Sequence, residues 1–184
     1  MCGHSLGEYT ALVAANSISL EDAILLVHKR GILMEKCKKG SMCAILNVDK
    51  DIISKTCKQI ENKFNTIVAP ANINSPKQIV ISGTIIGVNQ VVKHLTQSGY
   101  KKCIKLNVSV ASHSRLMDEI SKDFRDELNE IDFNEPNCEV IHNVDNKSSS
   151  DIFDLKEKLL NQLTCPVQWT NTMNYIKKFN GIVI

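Results

Sequence analysis

The chain has 184 residues, 43% hydrophobic and 23% charged, with a net charge of +2. That length holds one sizeable domain, or one domain with a smaller insertion, and the composition is that of a soluble globular protein. The near-neutral balance, without a basic block, argues against a nucleic-acid partner, and no apolar run approaches the roughly 20 residues that span a bilayer.

The chain opens on Gly3-His4-Ser5-Leu6-Gly7, which fits the G-x-S-x-G pattern of a nucleophile elbow. In such an elbow a tight strand-to-helix turn presents the serine hydroxyl at the top of a sheet, and glycines stand where side chains would clash. Amides at the start of the following helix can hold a developing oxyanion, and Leu6, directly after the serine, supplies one such N–H. Taken alone, the pattern fits a plain turn as well. Leu6 to Ala15 reads as the helix leaving the elbow. Ser19 with Asp22 forms a partial capping box ahead of a helix from Leu20 to about Lys38. Leu20, Ala23, Ile24, Val27, Gly31 and Met34 recur at spacings of three and four and form its buried stripe, with Arg30 beside it. Lys36, Lys38 and Lys39 suit the negative end of the helix dipole, and Gly40 stops the helix.

The periodicity then changes. Met42 to Val48 reads as a strand, Asp51 to Asn62 as an amphipathic helix and Thr66 to Ile73 as a strand closing on the turn Asn74-Ser75-Pro76-Lys77. Gln78 to Ser82 is a further strand, Thr84 to Ser98 a helix ended by Gly99, and Lys101 to Val108 a strand. The order β-α-β-β-α-β is the ferredoxin-like pattern, and two helices over one sheet face make a small independent core. This predicts a small subdomain at about 41–106, inserted between the two parts, 1–40 and 107–184, of a larger α/β subdomain. In the second part, Ser112-His113-Ser114 precedes a helix over 115–129 with Leu116, Ile120, Phe124 and Leu128 on one face. Cys138 to Val144 reads as a strand, 145–151 as a polar loop, 153–163 as a helix, 167–179 as another after Cys165-Pro166, and 181–184 as the start of a strand.

The seven cysteines, Cys2, Cys37, Cys43, Cys57, Cys103, Cys138 and Cys165, are odd in number and include no C-x-x-C pair. They read as reduced thiols packed as small hydrophobes, which implies a reducing, cytoplasmic compartment. The five histidines form no H-x-x-x-H cluster, so no metal site is expected. The chain opens directly on the elbow, so no secretory leader is expected.

Five segments in order resemble the malonyl-CoA:acyl carrier protein transacylases. Gly3-His4-Ser5-Leu6-Gly7-Glu8-Tyr9 is similar to that family's nucleophile motif and Lys29-Arg30-Gly31 to its arginine motif. Asn72-Ile73-Asn74-Ser75-Pro76 with Gln78-Ile79-Val80-Ile81-Ser82-Gly83 resembles its small-subdomain hairpin. Ser112-His113-Ser114-Arg115-Leu116-Met117 resembles its histidine motif, and Gln162 with Pro166-Val167-Gln168-Trp169 a late motif. The resemblance implies an α/β-hydrolase-like core carrying a ferredoxin-like subdomain. It also implies transfer of malonyl from malonyl-CoA to the phosphopantetheine thiol of acyl carrier protein in fatty acid biosynthesis. No bound cofactor is implied, because the coenzyme A thioester is the substrate.

Moving an acyl group between two thiols suits a covalent serine relay, and serine needs a base within hydrogen-bond reach. His113 is the candidate base, 108 residues from Ser5, so the pairing must be spatial. A helix-capping or core histidine is the other reading of it. The resemblance implies a dyad in which the main-chain oxygen of Gln162 orients the imidazole and fixes its tautomer. On that basis the Gln162 side chain is expected to matter little. It also assigns Arg30 to the malonyl carboxylate, which a guanidinium can grip with two parallel hydrogen bonds. Met34 resembles an acyl-pocket residue, though core packing explains it as well. His4 contacts the acyl carboxylate or packs the elbow. Asn72 and Asn74 line the cleft or serve turn chemistry, the turn being preferred for Asn74. Ser112 is a candidate for the border of the acyl α-carbon.

Only Met1 and Cys2 precede Gly3, and the family's N-terminal glutamine region and late glycine-rich segment are not in the sequence. The chain therefore reads as a fragment of a larger monomeric enzyme, either standalone, which the small size of the matching unit favours, or a domain of a multidomain synthase, and it is not expected to turn over by itself. Two alternatives remain: a serine thioesterase or esterase built on the same elbow, and a silent module that binds the carrier protein.

Overall fold

Ser19 starts the longest helix as the capping box requires: its Oγ accepts the Asp22 N–H at 3.0 Å and donates to Asp22 Oδ2 at 2.7 Å. The computed structural model describes residues 1–178. In it α1 (Gly7–Ala14) and α2 (Leu20–Lys36) lead into β1 (Gly40–Leu46). Then come α3 (Lys50–Phe64), β2 (Val68–Ser75), β3 (Gln78–Thr84), α4 (Ile85–Gln97) and the short β4 (Cys103–Lys105). The second part holds a 3-10 helix (Arg115–Ile120), α5 (Ser121–Asn129), α6 (Ile152–Asn161) and α7 (Trp169–Ile176).

The four strands form one antiparallel sheet in the order β2-β3-β1-β4. Strand alternation sorts its side chains. Cys43, Ile45, Ile79 and Ile81 meet Ile53, Cys57, Val91 and Leu95 of α3 and α4 in one core. Met42, Ala44, Ala71 and Val80 form a smaller cluster of their own. Asp49 and Thr84 cap α3 and α4, and Asn65, in the left-handed region at φ 45°, ends α3.

A separate core joins the two ends of the chain: Tyr9, Leu12, Leu26 and Leu33 pack with Met117, Phe124, Leu128, Leu155 and Leu159. The chain passes from one core to the other at Gly40, whose N–H donates to Ser109 O at 2.8 Å. A Cβ there would lie 2.4 Å from the Ala111 Cβ, so only glycine allows this approach. Val167 ties the edge of β2 to the second part, accepting from Ile73 N–H at 2.9 Å and donating to Ala71 O at 2.8 Å.

Three expected elements differ. The strand over Cys138–Val144 reduces to a single parallel bridge between Ile141 and Cys2, beside which Ile141 N–H donates to Met1 O at 2.8 Å. The strand over 101–108 pairs with β1 only at Cys103–Lys105. The helix over 115–129 begins as a 3-10 turn set by Ser114, whose Oγ accepts from Leu116 N–H at 3.4 Å. The strand expected at 181–184 lies outside the described residues.

Candidate active site

The elbow is built from backbone. Gly7 N–H donates to His4 O at 2.9 Å and Glu8 N–H to Ser5 O at 3.0 Å, and the turn holds Ser5 at φ 51°. That is the left-handed region, a strained place for a serine and one found at functional sites. A Cβ on Gly3 would fall 1.9 Å from Gly7 O, so glycine is needed there. At Gly7 a Cβ would meet nothing within 4 Å, so the second glycine of the pattern is not required by space. Leu6 is the N-cap of α1, and the amides spent on the turn are those of Gly7 and Glu8, not its own.

His113 comes to this serine from the loop before the 3-10 helix, also at positive φ, 57°. Ser5 Oγ and His113 Nε2 are 2.8 Å apart, and His113 Nδ1 is 2.7 Å from Gln162 O. A carbonyl only accepts, so Nδ1 carries the proton. The Nε2 lone pair then receives the Ser5 hydroxyl hydrogen, the direction a general base requires. Burial pushes the His113 imidazole down from 6.5 to about 4; the Arg30 guanidinium adds to this, and the Gln162 carbonyl opposes it. The imidazole is therefore neutral at neutral pH and able to take a proton.

Arg30 is 7% exposed, and among the described residues it has no carboxylate partner. Its Nη2 donates to Gln162 Oε1 at 3.4 Å, its guanidinium carbon lies 5.8 Å from the centre of the Tyr9 ring, and its Nε is buried without an acceptor. Burial, the larger effect, holds the Tyr9 hydroxyl at about 12 despite the guanidinium beside it. A buried cation without an anion is costly unless one arrives.

Gln162 is engaged by its side chain as well as its main chain, contrary to the expectation that only the main chain counts. Its Nε2 donates to Glu8 Oε2 at 2.9 Å and to Ser5 O at 3.2 Å. His4 Nε2 donates to Asn74 Oδ1 at 2.9 Å and its ring meets Trp169 edge-on at 5.2 Å, so Asn74 braces the elbow rather than only shaping a turn. Asn72 is buried on β2 and bridges to Val167; Met34 is buried in the shared core; Ser112 is half-buried beside His113.

Two residues that sequence reasoning passed over complete the site. Asn143 Oδ1 accepts the Ser5 N–H at 2.6 Å while its Nδ2 donates to Gly3 O at 2.8 Å, so one amide clamps both arms of the elbow. Glu8, fully buried, accepts the Asn143 N–H at 2.9 Å, and its Oε1 lies 2.7 Å from His142 Nδ1. Glu8 in the first turn of a helix looks in sequence like an ordinary dipole complement, and Asn143 follows an apolar run without any motif signal.

A serine at an elbow, a neutral histidine on its hydroxyl and a backbone orienter make up the machinery of serine-dependent acyl transfer and hydrolysis. The chain belongs to the acyl transferase domain family, whose sequence model matches residues 1–177. It is 37% identical over 187 aligned residues to the malonyl CoA-acyl carrier protein transacylase of Haemophilus influenzae, covering 100% of this chain and 59% of that protein. The solved structure of the Coxiella burnetii malonyl CoA-acyl carrier protein transacylase superposes with a TM-score of 0.93 at 35% identity, over 97% of this chain and 57% of that one. A malonyl-transacylase solved in complex with a type II PKS acyl-carrier protein matches at a TM-score of 0.92 and 38% identity, over 97% of this chain and 58% of that one. The chain thus spans less than two thirds of the length of these relatives.

Proposed function

We propose that this chain carries the serine, histidine and arginine of a malonyl-CoA:acyl carrier protein S-malonyltransferase. The observation that carries the reading is the buried Arg30 guanidinium, without a carboxylate partner among the described residues, beside the Ser5–His113 pair. A malonyl group ends in the carboxylate that would complete it, whereas acetyl and simple esters do not. In the reaction Ser5 gives its proton to His113 Nε2 and its Oγ attacks the thioester carbonyl, with the Leu6 N–H turned to the oxyanion. Coenzyme A leaves as the thiol with that proton. The carrier's phosphopantetheine thiol then yields its proton to His113, attacks the acyl-serine and returns Ser5 to the free hydroxyl.

The fold reading belongs with this one: an α/β-hydrolase-like core over 1–40 and 107–184, with a ferredoxin-like subdomain at 41–106. The two separate cores and the strand order β2-β3-β1-β4 support it. The malonyl-transacylase captured with its acyl-carrier protein supports a carrier protein as the second substrate. A soluble, cytoplasmic monomer is part of the same proposal. No helix among the described residues is long and apolar enough to cross a membrane. Extended to the length of its relatives and supplied with malonyl-CoA and a phosphopantetheinylated carrier protein, the protein is expected to move malonyl to the carrier faster than it releases malonate. Malonate release outrunning transfer would make it a thioesterase instead.

A further inference from the structure

Beneath the elbow lies a second layer of polar contacts with Glu8 at its centre. The side chain is fully buried, as are His142, Asn143 and Gln162, so no solvent shares the work. Three groups converge on the one carboxylate: Gln162 Nε2 at 2.9 Å and Asn143 N–H at 2.9 Å on Oε2, and His142 Nδ1 at 2.7 Å on Oε1. Two of the three lead directly to the reacting atoms. Gln162 supplies, through its main-chain oxygen, the contact that orients His113, and its side chain also holds Ser5 O. Asn143 supplies the acceptor for Ser5 N–H and the donor for Gly3 O. Neither residue is adjacent to Ser5 or His113 in sequence, and α6, which ends at Asn161, shares no backbone hydrogen bonds with the elbow. The lateral placement of the base relative to the nucleophile therefore depends on side-chain ties, and those ties meet at Glu8.

We propose that Glu8 is a positioning residue of the acyl-transfer site, setting the distance between Ser5 and His113 by holding Gln162 and Asn143 on one buried carboxylate. This rests on Ser5 and His113 acting as the dyad, but not on malonyl being the acyl group. Length is the decisive property. Gln162 and Asn143 present only donors to Oε2, so an amide oxygen in that place accepts both. The amide nitrogen then faces His142 Nδ1, which accepts once the ring proton moves to Nε2. That move leaves the number of partnered groups unchanged, because His142 Nε2 is buried without a hydrogen-bond partner in either tautomer. Glu8→Gln therefore keeps the geometry. Glu8→Asp keeps a carboxyl group but draws it back by one methylene, so the ties either break or pull Gln162 and Asn143 out of place. A displacement of about 1 Å at a reacting pair can cost about a hundredfold in rate.

The test uses the full 184-residue chain and a fluorophosphonate, which needs the dyad but no carboxylate pocket. Ser5 Oγ attacks phosphorus, its proton passes to His113, and fluoride leaves. The labelling rate at saturating probe and the probe concentration for half-saturation are measured separately, with thermal unfolding of each variant alongside. Glu8→Asp is expected to lower the saturating rate about a hundredfold while leaving half-saturation near that of the parent and the chain folded at the assay temperature, and Glu8→Gln to stay within about threefold of the parent. The ¹⁵N shifts of His113 give a second readout: the Nδ1–H form persists in Glu8→Gln and is lost or mixed in Glu8→Asp. Labelling of Glu8→Asp at the parent rate overturns the proposal. So does a Glu8→Gln variant as slow as Glu8→Asp, since that would make charge or packing the cause. A parent chain that labels at Ser5 with the phosphonate but takes no malonyl leaves the positioning role standing and removes the malonyl reading alone.

Discussion

His113→Ala is expected to lower the rate of Ser5 acylation by about a thousandfold to ten-thousandfold, measured as the single-turnover appearance of acyl-serine. The size follows from what the imidazole supplies: the only base within hydrogen-bond distance of Ser5 Oγ among the described residues, at 2.8 Å, already in the correct tautomer. The same group sets the acid limb. A histidine whose proton affinity is lowered stays neutral until the pH falls below its own value. The limb of kcat/KM therefore lies near 4 rather than at the ordinary 6.5. Activity is present above that value and lost as the pH drops through it. An acid limb that stays at 6.5, or an alanine variant that keeps most of its rate, would show that another group takes the proton.

Arg30→Ala is expected to slow malonyl loading by about a hundredfold to a thousandfold and acetyl loading by less than about tenfold, compared as kcat/KM on the two thioesters. The guanidinium is buried, lacks an anionic partner among the described residues and lies close enough to His113 to lower its proton affinity. A substrate carboxylate on it gains two charge-assisted hydrogen bonds in a place where water competes poorly. It also cancels part of the field that holds His113 down, so the acid limb measured on the bound complex lies above that of the free protein. Equal losses for malonyl and acetyl would mean that Arg30 only supports Gln162.

Much of this was legible in sequence where the signal is local. The Ser19 cap, the strands at β1 and β3 and the β-α-β-β-α-β order follow from short-range rules, and the structure has each. Cys138–Val144 has the apolar character of a strand, but a strand needs neighbours, and among the described residues only Cys2 bridges to it. Within the site, the G-x-S-x-G spacing announces Ser5 because a sharp turn demands glycine at position 3. The pairing with His113 across 108 residues has no local signature, and family likeness supplied it. Glu8, Asn143 and the side chain of Gln162 were hidden for the same reason. Asn74 was read through its turn propensity, while its contact with His4 spans 70 residues and belongs to tertiary structure.

The central claim is that Ser5 becomes malonylated. The direct measurement is the intact mass of the 184-residue chain after brief incubation with malonyl-CoA, beside Ser5→Ala. One malonyl adduct is expected on the parent chain, located to the peptide that contains Ser5, and none on the variant. An unmodified parent chain, or an adduct that persists in Ser5→Ala, would contradict it.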